Sequence, residues 1–222
     1  MTESNRLRGV TDGRGAGPAK IVARFNGIAD ASLEWGLTSP GDCPTIFVSH
    51  KRAQGGVLVR WSWTSSGGFP PDCAELFGDG DCEDAFHDCL DILRDRFGQC
   101  PAGIRIFADD ATALRRQGLC LCGRSLGLAF LVGALCFMRG QRWPEGLLCW
   151  GSLLLARDGG YHLGPTAEPR EKMLFAWRMC ARRLLRVRGE NTAAIDGIDC
   201  IDLASDMRRS LDRIEQLLSE ET

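Results

Sequence analysis

Apolar residues recur along this chain at two periods. Alternation with β-branched enrichment predicts strands over 20–27 (KIVARFNG), 43–50 (CPTIFVSH), 55–63 (GGVLVRWSW) and 103–108 (GIRIFA). Helical spacing of Phe86, Leu90, Leu93 and Phe97 predicts a helix over 83–97. The stretch SLGLAFLVGALCFM is apolar on every side and predicts a buried helix over 125–139, introduced by the short apolar segment 119–122. GLLCWGSLLLA (146–156) reads as one strand, turned through Asp158-Gly159-Gly160 into an antiparallel partner. Pro169 then opens a helix over 169–183 with Met173, Trp177, Cys180 and Leu184 as its apolar stripe, and LLRVRG follows as a short strand. A last helix over 204–220 lines up Met207, Leu211, Ile214 and Leu218. The Gly-, Pro- and Asp-rich segment 65–81 predicts a loop with room for one helical turn, and 1–18, without periodicity, predicts a flexible tail.

This order of elements predicts a single α+β domain over 19–222, with mixed sheets and packed helices. At 222 residues the chain is long enough to bury a substantial core. Its longest apolar run, 14 residues, falls short of the roughly 20 that cross a bilayer. With a polar N-terminal segment lacking an apolar signal region, this predicts a cytoplasmic protein without a membrane partner. A net charge of −2 argues against a dedicated nucleic-acid-binding protein. The arginine run at Arg178, Arg182, Arg183, Arg186 and Arg188 is offset by the acidic stretch 79–91. Eleven cysteines, an odd number lying in apolar runs (Cys120, Cys122, Cys136, Cys149, Cys180), predict reduced, mostly buried thiols. Cys82, His87 and Cys89, with Asp81, Asp84 and Asp88 nearby, match no zinc spacing, so no metal is expected.

The basic residues carry the chemical signal. Of 27, only Lys20, Lys51 and Lys172 are lysine, and Lys172 stands in the first turn of a helix otherwise supplied with arginine. Arginine keeps its proton in proteins, whereas lysine can give it up. A helix N-terminus disfavours an ammonium, and the apolar neighbours Met173, Phe175 and Ala176 predict burial, which acts in the same direction. Lys172 is therefore a candidate general base, set against the ordinary alternative of a snorkelling surface lysine. GRSLGLA (123–129) places Ser125 at the start of a helix, where its hydroxyl could serve simply as a cap. With a base in reach it becomes a nucleophile, and the backbone N–H groups of Arg124, Ser125 and Leu126 become candidate oxyanion donors. His50, His87 and His162 form no triad pattern.

Serine helix, Gly-containing strand, tight hairpin, lysine helix and short apolar strand, in that order, resemble the proteolytic domain of the Lon protease family. The resemblance spans about 103–188 and rests on Gly123, Ser125 and Gly127, then Gly151, then Gly164, then Lys172, with serine and lysine 47 residues apart. It implies a Ser–Lys dyad, a substrate pocket near Trp150, Gly151 and Ser152, no cofactor, and a tendency to self-associate. The sequence departs from the family pattern at Leu126 after the serine, at Cys122 before the motif, and at Trp150, where the family has a threonine that holds the lysine. Ser152 and Thr166 are the hydroxyls available in its place. No G-x-x-x-x-G-K-[ST] is present, so the expected activity is ATP-independent, on a flexible segment or a dedicated protein substrate, with any unfolding left to a separate partner. The alternative is a catalytically degenerate Lon-like domain acting as a partner-binding or assembly module. A small-molecule kinase of the GHMP type fits less well, because GRSLGLA lacks the run of glycines and paired serines that wraps a phosphate.

Overall fold

The computed structural model describes residues 35–48, 56–189 and 196–220. The expected tail 1–18, the expected strand 20–27, His50, Lys20 and Lys51 lie outside the described residues. Strands β1 (Asp42–Val48), β2 (Gly56–Thr64) and β3 (Gly103–Ile106) form an antiparallel sheet in that order, in the register Cys43 opposite Trp61 opposite Ile106. Alternation along β2 sends Val59, Trp61 and Trp63 into the core. Arg60, on the other face, makes a two-pronged ion pair with the buried Asp110.

Helix α1 (Asp81–Phe97) connects β2 to β3, and α2 (Ala108–Gln117) and α3 (Gly127–Arg139) follow β3. Every residue of α3 from Gly127 to Cys136 is buried, the outcome expected of a helix that is apolar all round. Phe130 meets Trp61 edge-on at 4.9 Å between ring centres, and Phe86 of α1 stacks on Trp63 at 5.5 Å. The buried thiols Cys43, Cys82, Cys89, Cys136 and Cys149 fill this core, and burial holds their thiols well above the ordinary range. Cys120, Cys122 and Cys180, expected to be buried, are exposed because they fall in connecting turns rather than in elements.

The predicted strand 146–156 is two strands. β4 (Leu147–Cys149) belongs to a parallel sheet of order β4-β7-β8, with β7 at Arg183–Val187 and β8 at Asp199–Leu203. β5 (Ser152–Leu155) instead pairs with β6 (Tyr161–Gly164) in an antiparallel hairpin. The lysine helix α4 (Pro169–Arg178) is shorter than expected, because Cys180 at φ 54° turns the chain into β7. Trp177 and Cys180 are exposed, so its buried face is Lys172, Met173, Phe175 and Ala176 rather than the predicted stripe. The arginine run divides among α4, a turn and β7; Arg182 pairs with Glu145 and the buried Arg186 with Asp202. Helix α5 (Met207–Glu220) buries Met207, Leu211, Ile214 and Leu218 in its own domain. Among the described residues no helix is long and apolar enough to cross a membrane.

Candidate functional site

The break between β4 and β5 builds the serine's environment. Trp150 still bonds the parallel sheet, its N–H donating to the carbonyl of Leu185 at 3.2 Å. One residue later the Gly151 N–H donates to the carbonyl of Ser125 at 2.9 Å, and the Leu128 N–H donates to the Gly151 carbonyl at 3.0 Å. The two bonds clamp the start of α3 to the mouth of the hairpin. Ser125 sits in the 3-10 turn Arg124–Leu126 that leads into α3, and it is half-buried. The turn is entered through Gly123 at φ 98°, ψ 150°, a conformation essentially reserved for glycine. Gly127 lets the turn close on β5, since a Cβ there would lie 2.8 Å from Cγ of Leu153.

Lys172 reaches the same place from α4. The αL conformation of Glu168 (φ 54°) and Pro169 at the first helical position set the helix start, so that Lys172 falls in its first turn pointing inward. Its Nζ hydrogen-bonds with Oγ of Ser125 and lies 2.6 Å from Oγ1 of Thr166. Lys172 is 4% exposed and Thr166 7%. The Thr166 hydroxyl donates to the carbonyl of Ala167 at 3.1 Å, so its oxygen faces the lysine as an acceptor.

Of the two hydroxyls available to replace the family threonine, the structure brings Thr166 to the amine, while the Ser152 hydroxyl faces the carbonyl of Pro165 at 3.4 Å. Trp150, expected beside a substrate pocket, is 1% exposed, and its indole packs in the core. Gly151 is buried and Ser152 half-buried at the edge of the site. Within the serine turn, the Gly127 N–H donates to the Arg124 carbonyl and that of Leu128 to Gly151. Arg124 and Ser125 head the turn, where N–H groups have no acceptor one turn earlier, whereas Leu126 closes its i→i+3 pattern.

The other candidates separate. Cys82 and Cys89 are buried, whereas His87 faces solvent 3.8 Å from Glu83. Among the described residues no group of three His, Cys, Asp or Glu side chains could hold a metal ion. His162 lies in β6 and bridges to Asp206 through its backbone. The surroundings of Arg124 were not evident from its local sequence: its guanidinium turns onto Asp84 and Asp88 of α1. The i, i+4 spacing of those two aspartates was the available signal.

The chain matches no protein-family model and no curated protein.

Proposed function

We propose that the protein is an ATP-independent serine endopeptidase, Lon-like in its chemistry, with Ser125 as nucleophile and Lys172 as general base. One observation carries this reading: a buried lysine amine in hydrogen-bonding contact with a serine hydroxyl at the head of a helix. Removing an amine from water favours its neutral form. Thr166 accepts one N–H of that amine, leaving its lone pair for the Ser125 proton.

In the acylation step the Lys172 amine takes the Ser125 proton as Oγ attacks the carbonyl carbon of the scissile peptide. The tetrahedral oxyanion is met by the N–H groups of Arg124 and Ser125; that of Leu126, expected to join them, is taken by the 3-10 turn. Collapse breaks the C–N bond, and the Lys172 ammonium returns its proton to the leaving amine. Water, deprotonated by the same lysine, then attacks the acyl carbon; collapse breaks the acyl C–Oγ bond, and the Lys172 ammonium returns the proton to Ser125 Oγ as the acid leaves. All of these roles are filled by the protein's own groups. The substrate in this reading is a flexible segment or one dedicated protein, since the chain carries no P-loop motif to couple ATP to unfolding.

A second reading, a non-catalytic partner-binding domain of the same fold, draws on the outward face of α4, where Leu174 and Trp177 are 38% and 53% exposed. A peptidyl phosphonate separates the two. Covalent labelling of the wild type that disappears in Ser125→Ala supports the peptidase. A folded wild type that stays unlabelled at millimolar reagent leaves the binding module.

A further inference from the structure

The candidate nucleophile has a neighbour whose side chain is spent in an unexpected direction. Arg124 precedes Ser125 in the 3-10 turn, yet its guanidinium folds back onto α1 instead of extending into solvent. One Nη is 3.3 Å from Oδ2 of Asp84, and the other contacts Oδ2 of Asp88. The two carboxylates differ in setting: the Asp84 side chain is 58% exposed, that of Asp88 14%. Exposed ion pairs contribute little, whereas a pair held in a half-buried, fixed geometry can define a conformation.

Asp88 is also shared. Its Oδ1 lies 3.3 Å from the hydroxyl of Tyr161, which in turn lies 3.4 Å from Oδ2 of Asp91. The single phenol proton serves one carboxylate at a time. Burial first, and then the charges of Asp88 and Asp91, push the Tyr161 phenol up to about 12, so it is a donor at every working pH. Tyr161 opens β6, and the other end of that strand, Gly164, is two residues before Thr166. Asp88 thus joins the turn that carries Ser125 to the hairpin that delivers Thr166 to Lys172. The Nε of Arg124 is buried without a partner, so the guanidinium is oriented through its two Nη contacts.

We propose that Arg124 is a positioning residue for Ser125, anchored on Asp88, and that the chain Arg124–Asp88–Tyr161 fixes the distance between the serine turn and the Thr166–Lys172 side of the site. The proposal rests on the Ser125–Lys172 reading and deepens it. Arg124 acts through the turn's backbone, so its loss slows bond formation at Ser125 without weakening capture of the reagent.

The test is the kinetics of phosphonylation at Ser125, resolved into the saturating rate constant and the half-saturating concentration. Arg124→Ala is expected to lower the saturating rate at least tenfold with the half-saturating concentration within twofold of wild type. Arg124→Lys, which still reaches Asp88, is expected to recover most of the rate. Asp88→Asn is expected to behave like Arg124→Ala, and Asp84→Asn, at the exposed carboxylate, like wild type. A rate within twofold of wild type for Arg124→Ala overturns the proposal. Should Arg124→Ala fail to fold, an unchanged rate in folded Asp88→Asn overturns it equally. A wild type that never labels defeats the underlying dyad and the proposal together, whereas a wild type that labels with indifferent variants defeats the positioning role alone.

Discussion

At the scale of single residues, the choice of lysine at position 172 has a structural counterpart. A guanidinium in the same buried place would stay charged and could not accept the serine proton. The pair Ser125 and Lys172 was legible in the sequence because both signals are local: a serine between glycines at a helix start, and a lone lysine in an arginine-rich segment. Their contact was expected through the family resemblance and not from the residues alone, since it depends on how the β5–β6 hairpin brings two helix ends together. Thr166 marks the limit of the reading. It was one of two possible hydroxyls, and the choice between them is made by the turn from Gly164 to Pro169, whose αL residue Glu168 follows no glycine signal. Thr166→Val, which keeps the shape and removes the oxygen, is expected to slow acylation of Ser125 by roughly 10- to 100-fold, because a misaligned base loses most of its advantage. Thr166→Ser should react nearly as the wild type does. Pre-steady-state release of a chromogenic leaving group measures both.

At the scale of elements, the informative difference is the strand that proved to be two. GLLCWGSLLLA has a continuous apolar pattern, and nothing in its periodicity marks a change of sheet between Cys149 and Ser152. Gly151 was the clue, an isolated glycine inside a strand pattern that marks close backbone approach. The approach is to the serine turn, so the departure from regular pairing creates the site. Helix α2 and strand β8 were absent from the sequence reading for a related reason. Only Asp110, Ala111, Ala113 and Leu114 of α2 are buried, and β8 sets its aspartates three apart, out of step with strand alternation, so neither presents a strong stripe. The turn itself is conformationally demanding. Gly123→Ala is expected to cost about 1–3 kcal/mol of stability, since the methyl meets no neighbour but cannot accept φ 98°. Chemical denaturation of the variant gives that number, and an unchanged midpoint would mean that the turn relaxes without strain.

At the scale of the whole molecule, α3 organises everything else. It is buried from Gly127 to Cys136 against the antiparallel sheet and α1, and the nucleophile lies in the turn that leads into it. Its apolar character was plain in the sequence, as was the mixed class of the fold. The division into two sheets and a separate hairpin depended on long-range pairing that no local pattern encodes. Phe130, fully buried between Trp61 and Trp63, is expected to contribute about 3–5 kcal/mol, so Phe130→Ala should lower the urea midpoint steeply. A loss below about 1 kcal/mol would mean that the aromatic cluster repacks around the cavity.

Catalysis by the proposed dyad requires transfer of the Ser125 proton to a neutral Lys172. The pH dependence of Ser125 phosphonylation, followed by intact mass in the wild type and in Lys172→Arg, examines that transfer directly. The predicted result is a wild-type rate that rises with pH through one ionisation as the amine loses its proton, together with no adduct in folded Lys172→Arg at any pH. A Lys172→Arg protein that labels at the wild-type rate, or a wild-type rate indifferent to pH, would contradict it.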